Sequence, residues 1–185
     1  VAPSAAAAPA TLSATSTTKP VTEPTLAAVD PAHQRSFTEA TRLMQAGRDD
    51  DAQRVLTALT AANPELGGAH ANLGLLHLLA GRSTDAVAAA ERALCANPEQ
   101  AIYANLLGIA HRHNGQFVQA RAAYQKAIEL DATYAAPVLN LGILNDLYLA
   151  NPTGAVDLYA RYLILTPAGD AAVAKWVAEL KGRKA

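Results

Sequence analysis

Three segments of the chain repeat one pattern: residues 73–81 read LGLLHLLAG, residues 107–115 read LGIAHRHNG and residues 141–149 read LGILNDLYL. The Leu-Gly pair that opens each segment recurs after 34 residues. Alanines follow the same interval further along each unit, at Ala52, Ala86 and Ala120, and then after 35 residues at Ala155. A fixed period of this length indicates stacked copies of one supersecondary unit, and the longer last interval predicts one inserted residue near 149–152.

Each unit is predicted to be a pair of helices. In the second unit, Leu73, Leu76 and Leu79 recur at helical spacing before Gly81 interrupts the pattern. Ser83 is the expected N-cap of the partner helix, which Asn97-Pro98 ends. The period predicts four units, at about 33–66, 67–100, 101–134 and 135–169.

The glycines of the Leu-Gly pairs fall inside predicted helices, at Gly74, Gly108 and Gly142. Glycine costs about 1 kcal/mol relative to alanine in a helix interior. A recurrent cost of this size needs a packing reason. We therefore expect that the backbone of a neighbouring helix passes too close to each glycine for a β-carbon.

The 34-residue period, the Leu-Gly pair, the later small residue and the closing proline resemble the tetratricopeptide repeat (TPR). The resemblance covers about residues 33–169, although the first unit has Glu39-Ala40 in place of Leu-Gly. It implies an all-α, right-handed α-solenoid of four TPR helix pairs, within a domain spanning 32–185. Residues 170–183 are predicted to form a capping helix, because Val173, Trp176 and Leu180 share one face. The alternative for Trp176 is a partner anchor.

The resemblance also implies a binding groove on the concave face, lined by the first helix of each unit. Carried over position by position, the groove residues are Phe37, Thr41, Met44, Asn72, Leu75, Leu78, Asn105, Ile109, Arg112, His113, Leu139, Asn140 and Ile143, with Gln45, Ala71 and Asp146 beside them. Such a largely apolar wall suits an extended or helical peptide.

Asn72 and Asn140 each precede a Leu-Gly pair, where some family members grip a peptide backbone with an asparagine ladder. An asparagine amide can pair with both the N–H and the C=O of a peptide unit. The ladder is interrupted in the third unit, which has Leu106 at that position and Asn105 one residue earlier. The alternative is that these amides cap or bridge neighbouring helices. A chaperone-type carboxylate clamp is not expected, because Arg112 is the only basic residue on the carried-over wall.

Residues 1–31 differ in composition from the repeats. They hold five of the ten prolines, no aromatic residue, and mostly Ala, Ser and Thr. We expect a flexible tether, and we interpret it as the stalk of a bacterial envelope protein, periplasmic or associated with the outer membrane, with a leader or lipid anchor removed. An interdomain linker and a cytoplasmic location are the alternatives. Contact between residues 11–24 and the groove, or homodimer formation, is also left open.

The sequence contains no recognisable catalytic or metal-binding pattern. Cys95 is expected to be an inert packing residue, and the run Asp49–Asp51 a solvated helix start without the spacing of a calcium loop. His77 and His111 occupy one repeat position and are expected to pack between helices. The net charge of -1 disfavours a nucleic-acid partner. No enzyme activity, cofactor or metal is expected.

The predicted function is therefore a non-enzymatic scaffold that binds a peptide or protein segment in the TPR groove, within an envelope assembly. The alternative is a chaperone for an exported or secreted substrate. A single Met in 185 residues counts against the loose, Met-rich surface of a promiscuous binder.

Overall fold

The computed structural model describes residues 30–182, and within that range it contains nine α-helices and no strand. The helices are α1 (Pro31–Gln45), α2 (Asp49–Ala62), α3 (Gly67–Leu79), α4 (Ser83–Ala96), α5 (Ala101–His113), α6 (Phe117–Leu130), α7 (Ala135–Leu147), α8 (Pro152–Leu165) and α9 (Ala171–Gly182). The predicted all-α repeat fold is confirmed. Most of the predicted tether lies outside the described residues, but its last two residues start α1: Asp30 caps the helix and Pro31 is its first residue.

The helices pack in consecutive pairs, α1 with α2 and so on to α7 with α8, and α9 packs on α8. Each second helix also contacts the first helix of the next pair. The first helices α3, α5 and α7 contact one another in series, whereas the second helices make at most marginal contact with each other within residues 30–182. The stack therefore curves with its first helices on the inner side.

The turn inside each of the first three pairs has one backbone conformation. Gly47, Gly81 and Gly115 have φ angles of 70°, 71° and 73°, the left-handed region that favours glycine. After α3, the Gly81 N–H donates to the Leu78 carbonyl at 3.0 Å and the next N–H donates to the His77 carbonyl at 2.8 Å. Ser83 is not the N-cap that we expected. Arg82 takes the N-cap position, and its side chain forms no capping hydrogen bond. Ser83 is the first helical residue of α4.

The fourth turn contains the inserted residue that the 35-residue interval predicts. Ala150, with φ of 50°, is the only non-glycine residue with positive φ among the described residues. Around it, the Leu149 N–H donates to the Leu144 carbonyl at 3.1 Å, and the Asn151 N–H donates to the Asn145 carbonyl at 2.9 Å. The turn thus closes with an alanine in a conformation that costs an L-residue about 1–2 kcal/mol.

Replacing Ala150 by glycine is therefore expected to stabilise the fold. The relief of strain exceeds the extra entropy that glycine loses on folding, which leaves a gain of up to about 1 kcal/mol. For a chain of this size, the gain corresponds to a rise in Tm of about 2–4 °C. Thermal unfolding followed by circular dichroism measures it. The control is Ala80→Gly, where φ is -83° and the same change should lower Tm. A lower Tm for Ala150→Gly would contradict the strain.

Two of the three Leu-Gly glycines, Gly108 and Gly142, face aromatic rings and not the helix backbone that we expected. A β-carbon on Gly108 would lie 2.5 Å from the Tyr124 ring, and one on Gly142 would lie 2.7 Å from the Tyr159 ring. In the second unit, Ala90 stands where the others have tyrosine, and a β-carbon on Gly74 would meet nothing closer than 3.4 Å. Tyrosine on the second helix is thus the reason for two of the glycines.

The last helix covers the end of the stack, as a capping helix should. Val173 and Leu180 of α9 are buried against the cluster that contains Val156 and Tyr159 of α8. The Trp176 ring packs on the Tyr159 ring with a centroid separation of 5.6 Å. Trp176 thus has a packing partner inside the molecule.

Candidate functional site

Equivalent positions of the four first helices form three rows along the inner side of the stack. We call Thr41, Leu75, Ile109 and Ile143 the inner row. The middle row follows three residues later, at Met44, Leu78, Arg112 and Asp146. The rim row is the next residue in each helix, at Gln45, Leu79, His113 and Leu147.

The three rows differ in exposure. In the inner row, Thr41 is half-buried and the three aliphatic side chains are buried. Every residue of the middle row is half-buried, and every residue of the rim row is exposed. The surface that a partner meets first is therefore built by the last turn of each first helix.

The other predicted groove residues lie deeper. Phe37 packs in the cluster between α1 and α2, and Leu139 packs in the cluster of α8 and α9. Asn72, Asn105 and Asn140 are at most 4% exposed. Contact of these five residues with a peptide stays a prediction, and it requires that the inner wall opens.

Two of the buried amides bond to each other across neighbouring repeats. Asn140 Nδ2 of α7 donates to Asn105 Oδ1 of α5 at 3.0 Å, and Asn105 Nδ2 lies 3.2 Å from the Tyr134 hydroxyl at the start of α7. This is the bridge between neighbouring helices that stood as the alternative to a peptide ladder. Asn105, which lies one residue before the ladder position of the third unit, is the centre of the bridge.

Sequence reasoning missed three exposed apolar side chains beside the predicted groove: Leu79, Leu147 and Tyr148, which are 54%, 51% and 45% exposed. Leu79 and Leu147 belong to the rim row, and the Tyr148 ring stacks on Phe117 with centroids 4.7 Å apart. The 34-residue period could have found the first two, because they follow one position after Leu78 and Asp146.

Three of the five histidines serve the turns and the packing. The Arg82 Nε–H donates to His77 Nδ1 at 3.0 Å, and His111 Nδ1 bonds to the Gln116 side chain at 2.8 Å. Each bond closes the turn between the two helices of one unit, in agreement with the packing role that we expected. His70 is buried and its Nε2–H donates to the Pro64 carbonyl at 2.9 Å. Burial lowers the pKa of His70.

The acidic run and the cysteine carry no site in the described part of the chain. Asp51 forms ion pairs with Arg48 and Arg54, and these cations hold its pKa low. Cys95 is exposed, so the packing role that we predicted for it is wrong: its side chain leaves the apolar stripe of α4. No group of three His, Cys, Asp or Glu side chains within residues 30–182 could hold a metal ion.

Within residues 30–182, no helix is both long and apolar enough to cross a bilayer.

Comparison with known families agrees with this geometry. The family model described as Tetratricopeptide repeat matches residues 37–96 and 72–135, which together cover more than half of the chain. The chain belongs to the TPR family. No curated protein matched the sequence.

Many solved structures share the fold, and three of them show the degree of similarity. The protein in "Functional Characterization of Pseudomonas Aeruginosa pilF" is 20% identical, with a TM-score of 0.74 over 83% of this chain and 69% of that one. MamA 41-end from Desulfovibrio magneticus RS-1 is 22% identical, with a TM-score of 0.67 over 75% and 78%. A thermophilic TPR protein of Thermus thermophilus is 21% identical, with a TM-score of 0.65 over 80% of both chains.

Proposed function

We propose that the protein is a non-enzymatic scaffold that binds one protein segment along the middle and rim rows of its inner face. The observation that carries this proposal is the exposure of Leu79 and Leu147 at one repeat position, next to the half-buried Met44 and Leu78. Apolar side chains at a regular spacing on the inner side of a curved stack match the periodic anchors of an extended or helical segment.

The polar groups of the rows add selectivity to this apolar surface. Arg112 and Asp146 occupy the same row in neighbouring repeats, and His113 is exposed beside them. Charges placed among apolar anchors discriminate between segments because a mismatched charge must be desolvated without a partner. This arrangement favours a defined partner over the broad client range of a chaperone, which is the second candidate.

We also propose an envelope location, periplasmic or associated with the outer membrane. It rests on the composition of residues 1–31, which are rich in Ala, Ser, Thr and Pro and contain no aromatic residue. Cell fractionation of the full-length native protein tests this proposal separately. Recovery in the cytoplasmic fraction alone would overturn it and leave the binding proposal intact.

The binding proposal is tested by affinity capture from an extract of the native organism. The wild-type protein serves as bait and is compared with a rim variant, Leu79→Glu/Leu147→Glu, which places two charges on the rim row. The matched control is Leu130→Glu/Ile164→Glu, because these two exposed apolar residues lie on the second helices α6 and α8. We expect one dominant protein that the control retains and the rim variant loses by at least tenfold.

The opposite pattern, loss in the control and retention in the rim variant, would move the interface to the second helices and overturn the proposal. A holdase assay separates the two candidate functions. Suppression of the aggregation of an unrelated, heat-denatured protein would favour the chaperone, whereas binding of one partner at a fixed stoichiometry favours the scaffold.

A further inference from the structure

Two hydrogen bonds of the Arg82 side chain join the second repeat to the first. The Nε–H of Arg82 donates to Nδ1 of His77 on α3 at 3.0 Å, and Nη2 donates to Oε1 of Gln53 on α2 at 2.6 Å. His77 and Gln53 are both half-buried. We call these three residues the Arg82 clasp.

The Arg82 clasp requires a neutral imidazole. An arginine side chain has only donors, so Nδ1 of His77 must be the acceptor and must carry no proton. Protonation of His77 would place a second donor and a second positive charge 3.0 Å from Nε of Arg82. Arg82 would then turn away toward Asp85, whose Oδ2 already lies 3.9 Å from Nε. The bond to Gln53 uses the same guanidinium, so this rotation breaks it as well.

The surroundings of His77 favour its neutral form. Burial lowers the pKa of His77 and the Arg82 charge lowers it further, whereas Asp85 on α4 raises it. Among the charged groups of residues 30–182, Arg82 and Asp85 are the two that act on this pKa, and α2 contributes the neutral Gln53. The folded protein therefore takes up this proton less readily than the unfolded chain. The stability that the clasp contributes is complete above the unfolded pKa of about 6.5 and is lost as the pH falls below it.

The equivalent positions of the other repeats lack this dependence. Gln116 stands 34 residues after Arg82, and its Oε1 accepts from Nδ1 of His111 at 2.8 Å. An imidazole that donates through Nδ1 keeps that bond when its other nitrogen gains a proton. Leu43 and Asn145, which hold the histidine position in the first and fourth repeats, do not titrate. The acid-sensitive arrangement thus belongs to the junction between the first two repeats.

We propose that mild acid loosens the first repeat, because protonation of His77 opens the Arg82 clasp and raises the population in which α1 and α2 are undocked from α3. The first repeat is the unit that opens, since a terminal repeat contacts only one neighbour. Undocking uncovers Leu66, Leu73 and Leu76, which pack in one apolar cluster with residues of α1 and α2. This inference does not rest on the proposed function.

Hydrogen exchange of the full chain, followed by mass spectrometry at about pH 7.5 and about pH 5.5, tests the proposal. Both conditions keep Asp and Glu ionised, since their ordinary pKa values are near 4. Protection factors, which are corrected for the intrinsic effect of pH on exchange, are compared between α1–α2 and α5–α8. On acidification we expect protection of α1–α2 to fall about threefold or more relative to α5–α8, within the tenfold per pH unit that one proton allows.

The matched variants are His77→Asn and His111→Asn. Asparagine offers an acceptor in place of Nδ1 without titrating, and Asn145 occupies the same repeat position in the fourth unit. His77→Asn should reduce the selective fall to less than half on a logarithmic scale, whereas His111→Asn should retain it. A full selective fall in His77→Asn would assign the acid response to another group, such as the buried His70, and would overturn the proposal. An equal fall in all repeats of the wild type would overturn it too.

A second variant, Arg82→Gln, copies the residue that the third repeat has at this position. It removes the bond to Gln53 and lets the imidazole donate to the new amide. We therefore expect protection of α1–α2 to be lower than in the wild type at the higher pH, and no further selective fall in acid. A wild-type acid response in Arg82→Gln would show that the clasp is not the sensor.

Discussion

Replacing Gly108 by alanine is expected to destabilise the protein by about 1–2 kcal/mol, while the same replacement at Gly74 stabilises it. Alanine is preferred over glycine in a helix by about 1 kcal/mol, and both residues lie inside helices. At Gly108, however, the new β-carbon would lie 2.5 Å from two atoms of the Tyr124 ring. Overpacking costs about 1–3 kcal/mol, and two ring atoms at 2.5 Å place this site at the upper end of that range. After subtraction of the gain in helix propensity, a net loss of about 1–2 kcal/mol remains.

Gly74 is the matched control, because it occupies the same repeat position without a tyrosine opposite. A β-carbon there would meet the Leu106 side chain at 3.4 Å and backbone atoms of Ala86 and Ala90 at 3.5 Å, which are ordinary contacts. Gly74→Ala is therefore expected to raise stability by up to about 1 kcal/mol. Urea unfolding of both variants at equal protein concentration gives the two free energies.

A double-mutant cycle identifies the ring as the cause. Tyr124→Ala alone should cost about 3–5 kcal/mol, since it leaves a cavity in the core. In that background Gly108→Ala should become neutral or stabilising, because nothing then opposes the new methyl group. If Gly108→Ala destabilises by the same amount with and without the ring, the contact with Tyr124 is not the reason for the glycine.

The period of the sequence predicted most of the fold, because every repeat had to satisfy the same packing. Four helix pairs, their turns and the inserted residue followed from the spacing of Leu-Gly, Gly and Ala. The sequence could not show what each glycine faces. Tyr124, Tyr159 and Ala90 stand at one position, and only the packed structure shows that the ring enters the space above the glycine.

The candidate site was predicted less well, for a physical reason. Carrying positions over from a family identifies which side of a helix faces inward, but not how deep each residue lies once neighbouring repeats close on it. Leu75 and Ile109 are buried, whereas Leu79, one turn after Leu75, is exposed. The depth depends on how closely α3, α5 and α7 approach, which is a property of the whole stack.

Replacing Asn105 by leucine is expected to lower the free energy of unfolding by about 2–4 kcal/mol, whereas a surface substitution usually changes it by less than about 0.5 kcal/mol. Asn105 is fully buried, accepts a hydrogen bond from Asn140 Nδ2 at 3.0 Å and lies 3.2 Å from the Tyr134 hydroxyl. Leucine has a similar shape but cannot form a hydrogen bond. The buried Asn140 amide and the Tyr134 hydroxyl would therefore each lose the bond to residue 105. Each such loss costs about 1–3 kcal/mol.

The double variant Asn105→Leu/Asn140→Leu distinguishes a bridge between repeats from a peptide-binding ladder. Removing both amides of a buried pair leaves no unpaired group behind, so it is nearly neutral compared with removing one. The double variant should therefore lower the free energy of unfolding by less than the sum of the two single variants. The expected difference, which is the coupling energy, is about 0.5–3 kcal/mol. The partner protein that depends on the rim row should still bind the double variant within a few-fold. Additive costs together with loss of partner binding would instead assign the amides to the ligand. The two measurements thus separate what holds neighbouring repeats together from what the groove presents to a partner, and they do so at the same two residues.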